Sequence, residues 1–371
     1  MDSPGGPTSA QGIYEAKIKA VLHELHEEYL APHDHPWIIG FSGGKDSTLL
    51  LHLVIECMQR IAPDERTRRV YIVCNNTLVE SPVYQSFVDS VLDKLEESLG
   101  GLNVPVKVVR TNPLIKDSFW VNLIGKGYSA PTRNFRWCTD RLKIRPTSRF
   151  IRELVTDQGE AILLLGKRSA ESSARAGSVK RHQASDGGRL SPDTRHKGVQ
   201  VFSPIKELTT EDVWVKLIES RPPWGGSYRE LLKLYRESNT SCPFVMSPDD
   251  APSCGSSSAR FGCWTCTVVK KDKSLDAMID NGHEHLEPLS KFRNRLRTVS
   301  DTPEYRSKIR RNGQPGLGPL TMKARRMLLD ELLDLQTETK MPLISHHEEM
   351  LIREQWEKDQ TTEIMREFNL A

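Results

Sequence analysis

The stretch Phe41-Ser42-Gly43-Gly44-Lys45-Asp46-Ser47 sets a lysine and two hydroxyls around a Gly-Gly turn. An apolar, strand-like run (Trp37-Ile38-Ile39-Gly40-Phe41) precedes the turn, and a helix-like run beginning Thr48-Leu49-Leu50-Leu51 follows it. A strand, a tight turn and a helix start converge several backbone N–H groups on one point. Unpaired N–H groups and the helix dipole both favour negative charge there, so the stretch predicts a phosphate site. Lys45 adds a full positive charge, and Ser42 and Ser47 add hydroxyl donors. The pattern is not a Walker A loop, which needs Gly six residues before the lysine and Ser or Thr directly after it. Here those positions hold Ile39 and Asp46.

A second concentration of chemistry lies in Cys242, Cys254, Cys263 and Cys266, set among Pro243, Pro248, Pro252, Gly255 and Gly262. Turn formers of this kind let a segment bend four thiolates onto one metal. Cys263-Trp264-Thr265-Cys266 is a chelating CxxC, but the other two are more widely spaced than in a zinc ribbon. On spacing, zinc, an iron–sulfur cluster and unligated buried thiols all remain open. Cys57, among apolar neighbours on a helix, reads as core. Cys74 ends a strand. Cys138 sits beside Arg136, Arg141 and Lys143, a setting expected to lower its pKa.

These groups need a scaffold. Ile13 to Leu30 has the spacing of an amphipathic helix. Strands are predicted at 37–41, 69–74, 104–109 and 161–165, with helices from the loop to about Ile61 and from Pro82 to Leu99. That alternation predicts a parallel α/β sheet with helices on both faces. Asn76 follows the second strand and Gly166-Lys167-Arg168 the fourth, where doubly wound sheets bind ligands. From there to Gly198 the sequence is polar and basic (Lys180, Arg181, Arg189, Arg195, Lys197), which reads as a solvated loop or as a clamp on a phosphate backbone. Val199 to Phe202 reads as an edge strand, and Thr209 as the cap of a helix. Helices are expected at 322–335 and 344–368. A boundary near Arg221 divides an α/β nucleotide domain (1–220) from a mostly helical domain (221–371) that carries the cysteine segment 242–266.

The chain has 371 residues, a formal charge of +3 and seven cysteines. It is long enough for two domains. No apolar run reaches membrane-spanning length and the first residues lack a signal-peptide core, so a cytoplasmic protein with reduced cysteines is expected. The near-neutral charge sum says little about partners.

The SGGKDS form resembles the PP-loop of ATP pyrophosphatases, which cleave ATP between the α and β phosphates. Together with Arg136-Trp137-Cys138-Thr139, Gly166-Lys167-Arg168 with Glu171, and the four cysteines, it resembles the phosphoadenylylsulfate-reductase-like branch of that superfamily. Within the branch, the DNA phosphorothioation sulfurtransferases are similar from about Trp37 to Cys266. The resemblance implies an adenine-nucleotide α-hydrolase-like fold and ATP with Mg2+ held by Ser42, Gly43, Gly44, Lys45, Asp46, Ser47, Asn76 and Gly166. It further implies catalytic roles for Lys45, Asp46 and Arg168, and a [4Fe–4S] cluster on Cys242, Cys254, Cys263 and Cys266. The partners implied are DNA, a cysteine desulfurase as sulfur donor, and the system proteins DndD and DndE. Two departures stand out: Asn76 occupies a strand-end position that is commonly acidic, and the chain ends at Ala371, short of the expected length. True phosphoadenylylsulfate reductases carry a catalytic Cys in a C-terminal tail. No Cys follows Cys266, so that activity is not expected. The competing expectations are a tRNA-thiolating PP-loop enzyme and a non-catalytic nucleotide-binding scaffold.

Overall fold

The structure, a computed structural model, describes residues 10–169, 188–238 and 261–367. These divide between two compact units, neither of them one continuous stretch. The first comprises Met1–Asn75, Gln85–Thr111 and Thr147–Lys233. The second comprises Asn76–Tyr84, Asn112–Pro146 and Leu234–Ala371.

The first unit is built on a six-stranded sheet of order β3-β2-β1-β4-β6-β5. Its strands are β1 (Trp37–Phe41), β2 (Val70–Asn75), β3 (Val106–Thr111), β4 (Ala161–Leu164), β5 (Leu190–Pro192) and β6 (Val199–Phe202). All neighbouring pairs are parallel except β5 with β6. β1 lies inside the sheet, and its Trp37, Ile38, Ile39 and Phe41 are buried, the continuous apolar run that a strand covered on both faces requires. The chain runs outward from β1 through β2 to β3, then returns to the other side of β1 with β4. The switch in strand order therefore falls between β1 and β4, and the carboxyl ends of these two strands frame the expected ligand crevice.

Helices α1 (Ala10–Tyr29), α2 (Lys45–Arg60), α3 (Pro82–Leu102) and α4 (Arg145–Gln158) alternate with the first four strands, and α5 (Thr210–Glu219) and α6 (Arg229–Glu237) follow β6. α2 buries Leu49 to Ile55 without a break, and α4 sends Ile151 and Leu154 into a core with Ile38, Val73, Ala161 and Val199. α5 starts on a capping box, in which the Thr209 hydroxyl accepts from Asp212 N–H and the Asp212 carboxylate accepts from Thr209 N–H. Two expectations change. The strand at 199–202 is interior, and the edge is β5, inside the stretch read as loop. Arg189, in the same stretch, pairs with Glu27 at 2.7 Å. Glu171, Arg181, Cys242 and Cys254 lie outside the described residues.

The second unit is mostly helical, with α7 (Lys273–Asp280), α8 (Glu287–Asp301), α9 (Met322–Thr339) and α10 (His346–Glu367). α9 and α10 pack on a buried π-helical turn, Val121–Gly125. That turn's surplus carbonyl at Ile124 accepts from Arg325 Nε at 2.8 Å and Trp356 Nε1 at 3.1 Å. Among the described residues, no helix is long and apolar enough to cross a membrane.

Candidate active site

In the first unit, Gly43 takes φ of 76°, a left-handed conformation that glycine adopts without strain and that turns the chain from β1 into α2. Gly44 caps α2 with no side-chain acceptor, so the first-turn N–H groups of the helix keep the anion-seeking character predicted for them. Ser47 closes the loop on itself. Its hydroxyl donates to Gly44 O at 2.9 Å and accepts from Ser42 N–H at 3.2 Å, and it lies 3.1 Å from the Ser42 hydroxyl.

Asp46 is the hinge of the charge arrangement. One carboxylate oxygen meets Lys45 Nζ at 2.9 Å and the other meets Arg168 Nε at 2.7 Å. Lys45 is buried beside the loop. Arg168 is 1% exposed, and its remaining nitrogens donate to Leu208 O at 3.2 Å and the Thr210 hydroxyl at 3.1 Å. A guanidinium so enclosed positions Asp46. Gly166 explains its own identity: a Cβ there would lie 3.0 Å from the carbonyl carbon and oxygen of Asp46 and 3.1 Å from Ser47 N. The end of β4 thus presses directly on the phosphate loop. Lys45, Asp46, Ser47, Gly166 and Arg168 form one constellation, assembled at the predicted switch point.

Asn76 falls in the second unit, where its side-chain oxygen accepts from Leu78 N–H at 2.8 Å and steadies a residue with φ of 67°. The next residues build the cysteine region. Glu80 and Cys263 pair as an antiparallel bridge, with Trp264 N–H donating to Val79 O at 3.0 Å and Ser81 N–H to Gly262 O at 3.3 Å. Cys263 Sγ lies 3.3 Å from the Thr77 hydroxyl, which itself donates to Glu80 at 3.0 Å. Glu80 also faces Lys143 Nζ at 3.4 Å. Cys266 is placed differently. Arg293, 1% exposed, donates from Nε to Cys266 O at 2.8 Å, from Nη1 to Lys270 O at 2.9 Å, and from Nη2 to Val269 O. Trp264 packs against Trp120 and Phe292 and anchors the turn between the two thiols.

Burial pushes the Cys263 thiol up to about 12, with Glu80 adding to the rise and Lys143 opposing it. Burial likewise raises Cys138, reinforced by the nearby Cys266, while Thr139 and Arg136 pull the other way. The basic neighbours therefore do not make Cys138 a low-pKa thiol, because desolvation outweighs them. Cys57 is core, as expected, its thiol also raised to about 12 by burial. Cys266 adds to the rise of both Cys138 and Cys263, yet among the described residues no group of three or more His, Cys, Asp or Glu is arranged to hold a metal. A soft metal centre fits the CxxC as a thiolate pair that a cation would help to ionise. Thr265, fully buried between the two cysteines with an unpartnered hydroxyl, is consistent with a further acceptor there. Sequence reasoning missed Thr77, Glu80 and Arg293. Only the position of Thr77 just past β2 gave any signal.

Residues 36–269 match the phosphoadenosine phosphosulfate reductase domain, and the chain belongs to that family. A protein of Methanocaldococcus jannaschii described as uncharacterised is 26% identical over 195 residues, 53% of this chain, and the chain spans only 34% of that relative's length. Among solved structures, phosphoadenylyl-sulfate reductase from Candida auris is similar at 15% identity and a TM-score of 0.38, covering 66% of this chain and 99% of its own. The U34-tRNA thiolase NcsA from Methanococcus maripaludis, solved with its [4Fe–4S] cluster, is similar at 16% identity and a TM-score of 0.35, covering 86% and 89%. FMN adenylyltransferase from Candida glabrata stands at 12% identity and a TM-score of 0.35, with 66% of each chain covered. Likenesses at these scores carry no functional argument.

Proposed function

We propose that this protein is an ATP pyrophosphatase and sulfurtransferase that adenylates a DNA backbone phosphate and exchanges a non-bridging oxygen for sulfur, a DndC-like enzyme of DNA phosphorothioation or its SspD-like relative. The observation that carries this reading is the phosphate loop at the switch point, with Lys45 and Arg168 gripping Asp46 from either side. Failing the Walker pattern and matching SGGKDS favours cleavage between the α and β phosphates, which makes an adenylate.

A phosphodiester oxygen is a poor leaving group, and adenylation converts it into part of AMP, a good one. In this reading that oxygen attacks the α phosphorus of ATP, and pyrophosphate departs. The first-turn N–H groups of α2, the Lys45 ammonium and the Ser42 and Ser47 hydroxyls stabilise the charge that develops on the departing pyrophosphate. Asp46, held in place by Arg168, orients Lys45 and is the carboxylate suited to Mg2+, which would neutralise phosphate charge when bound. Hydrosulfide, released when a thiol reductant such as excess cysteine cleaves the desulfurase persulfide to a disulfide, then attacks the activated phosphorus, and AMP leaves with the original oxygen. Cys263 and Cys266, with Cys242 and Cys254, are the thiolates proposed to hold an iron–sulfur cluster, which would supply a soft sulfur-binding centre. DndD and DndE are the proposed assembly partners.

The test is anaerobic incubation with ATP, Mg2+, a cysteine desulfurase, cysteine and DNA, followed by nuclease digestion and mass spectrometry. Phosphorothioate-linked dinucleotides support the reading. Sulfur found on a base, or none transferred despite pyrophosphate release, overturns it.

A further inference from the structure

The second unit holds a cavity of about 320 Å³ lined by Arg133, Thr267, Lys270, Arg297, Ser300 and Asp301, among others. Three cations face one carboxylate, and that carboxylate, Asp301, lies 3.5 Å from Arg297. Among the described residues, the side chains of Arg133 and Lys270 form no ion pair. Their surroundings are fixed. Ala130 N–H donates to the Ser300 hydroxyl at 2.8 Å, and the Thr267 hydroxyl donates to Pro131 O at 2.7 Å, so the loop carrying Arg133 is tied both to α8 and to the chain leaving Cys266. The buried Arg293 clamps the backbone carbonyls of Cys266, Val269 and Lys270, which sets Lys270 in a fixed relation to the CxxC. Two residues past Arg133, Phe135 is 45% exposed and lies 6.2 Å from the Tyr128 ring, itself covered by the Arg311 guanidinium at 4.4 Å. A net-positive cavity beside an exposed aromatic on a basic loop is the combination that holds a strand by its backbone and lets a base stack.

We propose that this cavity is a backbone-phosphate subsite for single-stranded DNA, with Phe135 as a stacking platform for an adjoining base. The proposal rests on the reading that the enzyme acts on DNA, and it locates the strand on the segment that leaves the cysteine pair. α8 lies beyond the span matched by the reductase-domain family, so one wall of the cavity is built from residues outside that domain.

The test uses the full chain and a fluorescein-labelled single-stranded DNA 12-mer, followed by anisotropy across a potassium chloride series. The double substitution Arg133→Gln/Lys270→Gln is expected to weaken binding at least about tenfold. It should also flatten the plot of log affinity against log salt by about 1.4, since each lost single-strand phosphate contact is worth about 0.7. Arg133→Lys/Lys270→Arg should keep both affinity and slope. Phe135→Ala should weaken the single strand about tenfold and a duplex of the same sequence far less. Heat-unfolding midpoints of all variants establish that they fold. Unchanged affinity and slope in the Gln pair overturn the proposal. So do equal losses in the charge-keeping pair, displacement of the strand by millimolar pyrophosphate, which marks a small-polyanion pocket, or tighter binding of an RNA 12-mer of the same sequence. If the cavity proves to bind the strand but no sulfur is transferred, the sulfurtransferase reading falls alone. If sulfur is transferred while the Gln pair binds normally, only the subsite falls.

Discussion

In the phosphate loop, the groups that would meet a nucleotide lie within Ser42 to Ser47, and among the described residues Gly166 and Arg168, just past β4, support them from outside. In the cysteine region, Cys263 is set by Thr77, Glu80 and Lys143, and Cys266 by Arg293, residues drawn from widely separated parts of the chain. The first arrangement is encoded by neighbours, because a strand–turn–helix brings its own N–H groups together. The second exists only once distant segments have paired. A local site leans on few distant supports and fails on small changes within it. A dispersed site should fail at any of its supports.

The sharpest way to break this contrast is Arg168→Met. It leaves Asp46 facing Lys45 alone and strands the Leu208 carbonyl and Thr210 hydroxyl. Loss of one partner from a buried pair costs about 3–5 kcal/mol. Urea unfolding should show that loss, and pyrophosphate release should fall with it. Unchanged stability would mean that the loop needs no support from β4. Next comes Arg293→Met, which removes the buried donor shared by the carbonyls of Cys266, Val269 and Lys270, at a cost of about 3 kcal/mol. Thiol titration of Cys266 with a bulky disulfide reagent should accelerate, while the affinity of ATP for the phosphate loop stays as it was. A parallel loss of ATP binding would contradict the separation of the two sites.

Acid provides a third probe, confined to the helix that carries the loop. Glu56 on α2 pairs with the buried His52 and with Lys216 at 2.9 Å, and these partners, His52 foremost, hold its carboxyl at about 2 against the burial that opposes them. A carboxyl depressed in the folded state contributes stability above its ordinary value near 4.5 and loses it as the pH falls toward 2. Glu56→Gln should therefore remove on the order of 2–3 kcal/mol at neutral pH and flatten the stability profile between about pH 4.5 and 2. An unaltered profile would show that the pair does not persist in solution. The smallest expected effect is that of Gly166→Ala. Its methyl group must displace the backbone of Asp46, an overpacking cost of about 1–2 kcal/mol. ATP affinity should weaken by roughly tenfold, and the urea midpoint should fall by no more than that cost implies. A change in stability without one in affinity would place the contact outside the nucleotide site.

What could be read from the sequence follows the same division. The run 37–41, the Gly-Gly turn and the cap at Thr209 are local signals, and each reappears where the residues placed it. β5 was hidden because three residues ending in Pro192 carry no strand pattern. β6 was taken for an edge, since the short β5 that pairs with it was itself unreadable. The π-helical turns at Val121–Gly125 and Thr139–Ile144 follow neither a helical nor a strand period. The raised thiol of Cys138 was unreadable for another reason: its basic neighbours are visible in sequence, whereas its burial is not. Arg168 stood out in sequence by its place after the fourth strand, but sequence could not show that it faces inward to Asp46.

The central claim is that the loop at Ser42 to Ser47 cuts ATP between the α and β phosphates. Product analysis of ATP turnover by the full chain with Mg2+ and DNA tests it most directly, with Lys45→Ala run alongside. The account predicts AMP and pyrophosphate from the parent protein and neither from Lys45→Ala. ADP and inorganic phosphate, or pyrophosphate release that survives the loss of Lys45, would contradict it.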